Sequence, residues 1–183
     1  MNQLQMIRID KTRENDTLPD KYLFVTHCRE YTQKWLELSG ILGARWTEEQ
    51  FEKKMLGASG IFPNGIFYLL EDSKVIATAT GVIGENRTGS LHMIAMADEC
   101  RGKGLGNILC AKVVNYLLDR GMEKITLRTD DFRIPAIKIY LKLHFFPVLS
   151  DENMATRWKA VAKTIQCPVL PALDGDKYIS NIL

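Results

Sequence analysis

Arg101-Gly102-Lys103-Gly104-Leu105-Gly106 joins an apolar, strand-like stretch, Leu91 to Ala97, to an amphipathic helix that starts at Leu105. Three glycines in five positions let the backbone turn with φ > 0 and let a ligand come close to the main chain. A helix that opens there aims free N–H groups and the positive end of its dipole at whatever lies in front of it. That combination binds phosphate or pyrophosphate. With a further strand at Lys124 to Thr129, the segment reads as a right-handed strand–loop–helix–strand crossover.

Two common phosphate loops do not match. A dinucleotide site wants Gly-x-Gly-x-x-Gly and an acidic residue about 20 positions on. Here the spacing is Gly102-x-Gly104-x-Gly106, and a hairpin precedes the unit where more crossovers should stand, although Asp130 and Asp131 follow it. The Walker pattern Gly-x-x-x-x-Gly-Lys-Ser/Thr is absent.

Working outward, Lys74 to Ile83 and Ile66 to Glu71 read as a hairpin turning at Asp72-Ser73. Gly84 to Gly89 reads as a polar turn. Met6 to Ile9 alternates as a first strand. From Tyr22 to Leu42, apolar residues at 24, 28, 31, 35, 38 and 42 predict one long helix. Thr47 and Gln50 form a capping box that opens a second helix to about Leu56. Helices are also expected over 105–120, closed by Gly121, over 135–143 and over 151–165. Phe145 to Leu149 is a short strand, and the last 15 residues wrap the domain.

The 183 residues suit one domain, 1–183, with room for a proper core. Composition is 46% hydrophobic and 25% charged, with a net charge of +2, too weak and even to suggest nucleic acid as a partner. No apolar run approaches the roughly 20 residues that span a bilayer, and the first residues do not resemble a signal peptide. Cys28, Cys100, Cys110 and Cys167 form no Cys-x-x-Cys pair, and His27, His92 and His144 are scattered. Reduced thiols in a cytoplasmic protein are expected rather than a metal site.

Read as Arg-x-x-Gly-x-Gly, the loop resembles the coenzyme A pyrophosphate loop of the GNAT N-acetyltransferase superfamily. The strand residues Ile94-Ala95-Met96 precede it as the pantetheine-pairing strand does in that family. Arg133-Ile134-Pro135-Ala136-Ile137-Lys138-Ile139-Tyr140 matches the family's Asn-x-x-Ala-hydrophobic-x-x-Tyr except at its first position. Leu141 to Phe145 resembles its Tyr-x-x-x-Gly-Phe ending, with His144 where glycine is usual. The stretch from Thr129 to Tyr140 is similar to the branch that includes mycothiol synthase halves. The resemblance covers 66–148 well and 1–65 only in outline.

What it implies is an α/β fold: a mixed, mostly antiparallel sheet of six or seven strands with helices on both faces. The cofactor would be acetyl-CoA, held in a notch between strands 91–97 and 124–129. The cofactor-binding residues would be Ile94, Ala95, Met96, Arg101, Gly102, Lys103, Gly104, Leu105, Gly106 and Arg133. If the two strands splay, an N–H near Ile94 or Met96 is free to polarise the thioester oxygen. Tyr140 would be the acid for the departing thiolate, its ordinary pKa being about 10. His92 would be the base for the amine, with Glu71, Glu85 or ordered water as alternatives. Tyr31, Trp35, Arg45 and Trp46 would line the acceptor wall. The acceptor would be a small-molecule or peptide amine, with no nucleic acid and no membrane as partner; a homodimer is left open. Two rivals stand beside this: a non-catalytic acyl-CoA-binding module, and transfer to an alcohol or thiol.

Overall fold

The computed structural model describes residues 3–43, 45–167, 170–174 and 177–179. Its main sheet is built from β1 (Leu4–Arg8), β2 (Tyr22–Thr26), β3 (Ile66–Glu71), β4 (Lys74–Ile83), β5 (Thr88–Met96), β6 (Lys124–Thr129) and β7 (Phe146–Pro147). The order is β2-β3-β4-β5-β6-β1-β7. Every neighbouring pair is antiparallel except β5–β6. That parallel pair needs a crossover, and α3 (Leu105–Asp119) supplies it. A hairpin of β8 (Ala172–Asp174) and β9 (Lys177–Ile179) follows, bridged to the sheet edge through Val148 and Leu173. It occupies part of the chain that was expected only to wrap.

Apolar residues on the two faces of the sheet make two cores. One face packs against α3, α4 (Ile134–Lys142) and α5 (Glu152–Ile165), through Leu109, Val113, Ile137, Tyr140 and Trp158 among others. The other packs against α1 (Thr32–Gly40) and α2 (Glu48–Phe51), around Trp35, Phe51, Met55 and Tyr68. The expected mixed seven-stranded sheet with helices on both faces is therefore present.

The long helix expected over 22–42 is not. Tyr22–Thr26 is strand β2, paired with β3 along its whole length, and the helix runs only over Thr32–Gly40. Tyr22-Leu23-Phe24-Val25-Thr26 is rich in aromatic and β-branched residues, which suit a pleated surface better than a helix. The three-to-four spacing of apolar residues runs without a break from the strand into the following helix. The capping box at Thr47 and Gln50 is present, but α2 is one turn long and continues over Glu52–Leu56 as a wider coil, with the Gly57 N–H donating to the Glu52 carbonyl. β5 starts at Thr88, inside the stretch read as a turn.

Candidate active site

The β5–β6 ladder holds for three residue pairs only, Thr88–Lys124, Gly89–Ile125 and Ser90–Thr126. Beyond Ser90 the strands part. β5 stays with β4, but its register shifts between Thr78 and Thr80, so that Thr78 faces Ala95 and Thr80 faces His92. The extra residue is a β-bulge, and Met93 there takes a left-handed φ of 49°. The Ala97 N–H donates to the Ile76 carbonyl on the β4 side. Alternation then turns the Met96 and Ile94 amides towards the open side, where β6 no longer meets them.

The opening continues into a cavity of about 800 Å³. Ile94, Ala95 and Met96 form one wall, the 101–106 loop one end, and Pro135, Ala136, Ile139 and Tyr140 of the α4 region the other wall. Gly102 and Gly104 have φ of 78° and 77°, a conformation that favours glycine, and a Cβ at either would meet no protein atom within 4 Å. Among the described residues, none of the amides from Gly102 to Gly106 has a backbone acceptor. Asn107, in the first turn of α3, lines the cavity with a buried Oδ1 that has no partner. The free amide donors of the loop fit a phosphate-bearing ligand, whereas Asn107 Oδ1 is an acceptor and calls for a donor. Gly106 has a different role: a Cβ there would lie 2.9 Å from Ile139 Cδ1, so its missing side chain lets α4 close on α3.

The cations are less simply placed. Arg101 pairs with Asp98 at 2.7 Å and Lys103 with Glu71 at 3.8 Å. Lys103 does not line the cavity, whereas Arg101 does. Both cations are exposed, and such pairs are weak enough to exchange for an anion. Arg133, at the start of α4, lines the cavity while bonding Asp130 at 2.8 Å.

Tyr140 is buried, and among the described residues nothing hydrogen-bonds its hydroxyl. Burial pushes its phenol well above the ordinary value, helped by the nearby Cys110 thiol and opposed by Arg133. Cys110 also lines the cavity; burial pushes it up to about 12, so the thiol stays protonated and unreactive. His92 is not in the cavity wall. Leu91 packs into the α3 core, so His92 faces the α1 side, as does Met93 through the bulge. Solvent reaches the imidazole, yet the surrounding protein displaces enough water to lower its pKa below the usual 6.5.

The four proposed acceptor residues divide. Trp35 is fully buried against Phe51 and Trp46 at 4.5 and 5.3 Å, so it belongs to the core behind the wall rather than the wall itself. Tyr31 and Trp46 are half-buried at the edge of that cluster, and Arg45 is exposed. None of them lines the cavity. Ile41 and Leu42 at the end of α1, and Phe132 in the β6–α4 loop, do line it and were not singled out from the sequence. Phe132 is 76% exposed. An aromatic residue directly after the Asp130-Asp131 turn was the available signal.

The sequence model of the Acetyltransferase (GNAT) family matches residues 23–145. The chain belongs to the GNAT family. Among curated GNAT relatives, the mycothiol acetyltransferase of Thermomonospora curvata is 25% identical over 117 residues, 61% of this chain and 39% of that protein. That of Arthrobacter sp. (strain FB24) is 31% identical over 77 residues, 42% of this chain and 21% of that protein. The chain thus spans well under half the length of these relatives. Among solved structures, the GCN5-related N-acetyltransferase of Sphaerobacter thermophilus superposes with a TM-score of 0.65 at 14% identity, covering 80% of this chain and 49% of that one. The ribosomal-protein-S18-alanine N-acetyltransferase of Escherichia coli gives 0.57 at 19% identity, covering 67% and 76%. Both share the GNAT fold. No described helix is long and apolar enough to cross a membrane, and no cluster of metal-ligating residues occurs among the described residues.

Proposed function

We propose that this chain moves an acetyl group from acetyl-CoA to a primary amine by direct attack. The reading rests chiefly on the parting of β5 from β6 beyond Ser90 and Thr126, which opens a cavity with uncommitted amides at one end and Tyr140 in its wall. Acetyl-CoA supplies a thioester with an electrophilic carbonyl and a thiolate that can leave. The amides of Gly102 to Gly106, at the positive end of α3, hold the pyrophosphate. Arg101 exchanges exposed Asp98, and Lys103 half-buried Glu71, for phosphate contacts, and Arg133 adds a third cation. Ile94, Ala95 and Met96 run beside the pantetheine arm, and the amide of Ile94 or of Met96 polarises the carbonyl oxygen.

Tyr140 gives its proton to the departing thiolate. Its raised pKa keeps the phenol protonated near pH 7. His92 takes the proton of the amine from the opposite face, and its lowered pKa keeps it neutral near pH 7. Tyr31 and Trp46 bound the acceptor side, with Trp35 holding them from behind. We take residues 1–183 as one domain that works in the cytoplasm on a small-molecule or peptide amine. Relatives named mycothiol acetyltransferase support acetyl transfer over a purely structural role.

The test is direct. Acetyl-CoA and a panel of primary amines are expected to yield free thiol and a product heavier by one acetyl group and stable to hydroxylamine. Acetyl-CoA binding without any turnover would favour the non-catalytic module. A hydroxylamine-labile product would favour an alcohol or thiol acceptor. No binding by calorimetry overturns the reading.

A further inference from the structure

On the α1 side of the sheet, one row of polar side chains crosses three strands. β5 and β6 last pair at Ser90 and Thr126, so His92 and Arg128, each two residues on, flank the gap where the strands begin to part. Arg128 in turn faces Gln5 on β1. Alternation fixes the side. Ile125 and Leu127 on β6 and Leu4 and Met6 on β1 all point into the α3 core, which leaves Arg128 and Gln5 on the other face with His92.

These are interior strands of a seven-stranded sheet, yet the row lies between the two covers of this face. Over β3 and β4 the cover is the Trp35–Phe51–Tyr68 core. Over β1 and β7 it is the small cluster of Ile7, Val148 and Leu173. Between them Arg128 is exposed and Gln5 half-buried. Other arginines near the cleft are paired: Arg101 with Asp98, Arg133 with Asp130, Arg157 with Asp131. Among the described residues no carboxylate pairs with Arg128, and the Gln5 side-chain amide has no hydrogen bond. A guanidinium is a planar fork matched to two oxygens, and an uncovered one beside an unpaired amide suits an oxyanion.

Resting on the acetyl-transfer reading, we infer that Arg128, with Gln5, binds an oxyanion carried by the acceptor, so that the substrate is an amine bearing a carboxylate or phosphate. His92 and Arg128 each lie two residues past the last paired position, across a gap that opens from the roughly 4.8 Å spacing of paired strands, so one small molecule can carry an acid group to Arg128 and an amine to His92. Arg128 would then set specificity for the acceptor and take no part in proton transfer.

The test uses matched pairs that differ in the acid group: alanine against alaninamide, and phosphoethanolamine against ethanolamine. Their affinities are measured by calorimetry, with and without coenzyme A, for the wild type and for Arg128→Gln and Arg128→Lys. At least one acidic member should bind about 10-fold or more tighter than its neutral partner, as expected for charge-assisted bonds. Arg128→Gln should abolish that preference, leave the neutral amine and coenzyme A unaffected, and Arg128→Lys should restore part of it. No preference in the wild type, or a preference that survives Arg128→Gln, overturns the assignment. Failure of coenzyme A to bind strikes the acetyl-transfer reading instead, since the acid preference is also scored without it.

Discussion

Tyr140 and His92 lie on opposite faces of one sheet, on either side of the gap between β5 and β6. Tyr140 belongs to the α3–α4 core and His92 shares the α1 side with Met93. On the acetyl-transfer reading, this separation lets His92 serve the incoming amine and Tyr140 the departing thiolate. The two side chains never have to exchange a proton with each other.

Tyr140→Phe should lower kcat by about 10²- to 10⁴-fold, the usual worth of a general acid. Only a hydroxyl without a protein partner is lost, and the ring contact with Phe145 remains. Acetyl-CoA affinity should stay near wild type. Free-thiol release and calorimetry on the same preparation check both halves. An unchanged kcat with chemistry rate-limiting returns Tyr140 to a packing role.

His92 should set the acidic limb of kcat/KM. Its pKa is depressed by desolvation, so the limb should lie below the ordinary value of about 6.5. As pH falls through that depressed value, the imidazole takes up a proton and the base is lost. His92→Gln should be slow at neutral pH, lack this limb, and recover part of its rate as pH rises and free amine accumulates. Acceptors of different pKa separate the amine's own ionisation. If the limb follows the acceptor and is the same in the variant, another group carries the proton.

Gly104→Val should abolish acetyl-CoA binding and leave a folded protein. The position has φ of 77° and open space where its Cβ would project, so the protein itself is not in the way. A β-branched residue at left-handed φ costs about 1–2 kcal/mol, a modest fall in Tm. Wild-type affinity in the variant would place the phosphates elsewhere.

His144→Gly should stabilise the protein by about 0.5–1 kcal/mol. His144 has φ of 60° just past the end of α4, and the following Phe145 N–H donates to the Tyr140 carbonyl at 3.0 Å. This is a glycine-type helix ending made with a histidine. Denaturant melts of both proteins decide it; a fall in midpoint would show that the imidazole contributes more than its backbone costs.

Much of the fold was legible because it rests on short-range chemistry. The glycines at 102 and 104 stand where left-handed φ is needed, and the Thr47–Gln50 box stands where a helix begins. The β2 strand was not legible. Its identity comes from pairing with β3, some 40 residues away, and local periodicity favoured a helix. The site shows the same division. The loop and Tyr140 could be read from motif spacing. Phe132, Ile41 and Leu42 could not, since they meet across the cleft only after α1 and the β6–α4 loop are folded. Trp35 was misread as wall because helical spacing does not distinguish the side that meets a ligand from the side that meets the sheet.

The contact between Gly106 and Ile139 ties two tasks to one joint. Gly106 sits in the loop end of the cavity and Ile139 immediately precedes Tyr140. A side chain at 106 must displace the Ile139 Cδ1 methyl, on the residue next to Tyr140. On the acetyl-transfer reading, a change at this position at the donor end also repacks the residue beside the proton source. Change in donor preference meets less resistance through Ile41, Leu42 or Phe132, which line the same cavity away from that joint.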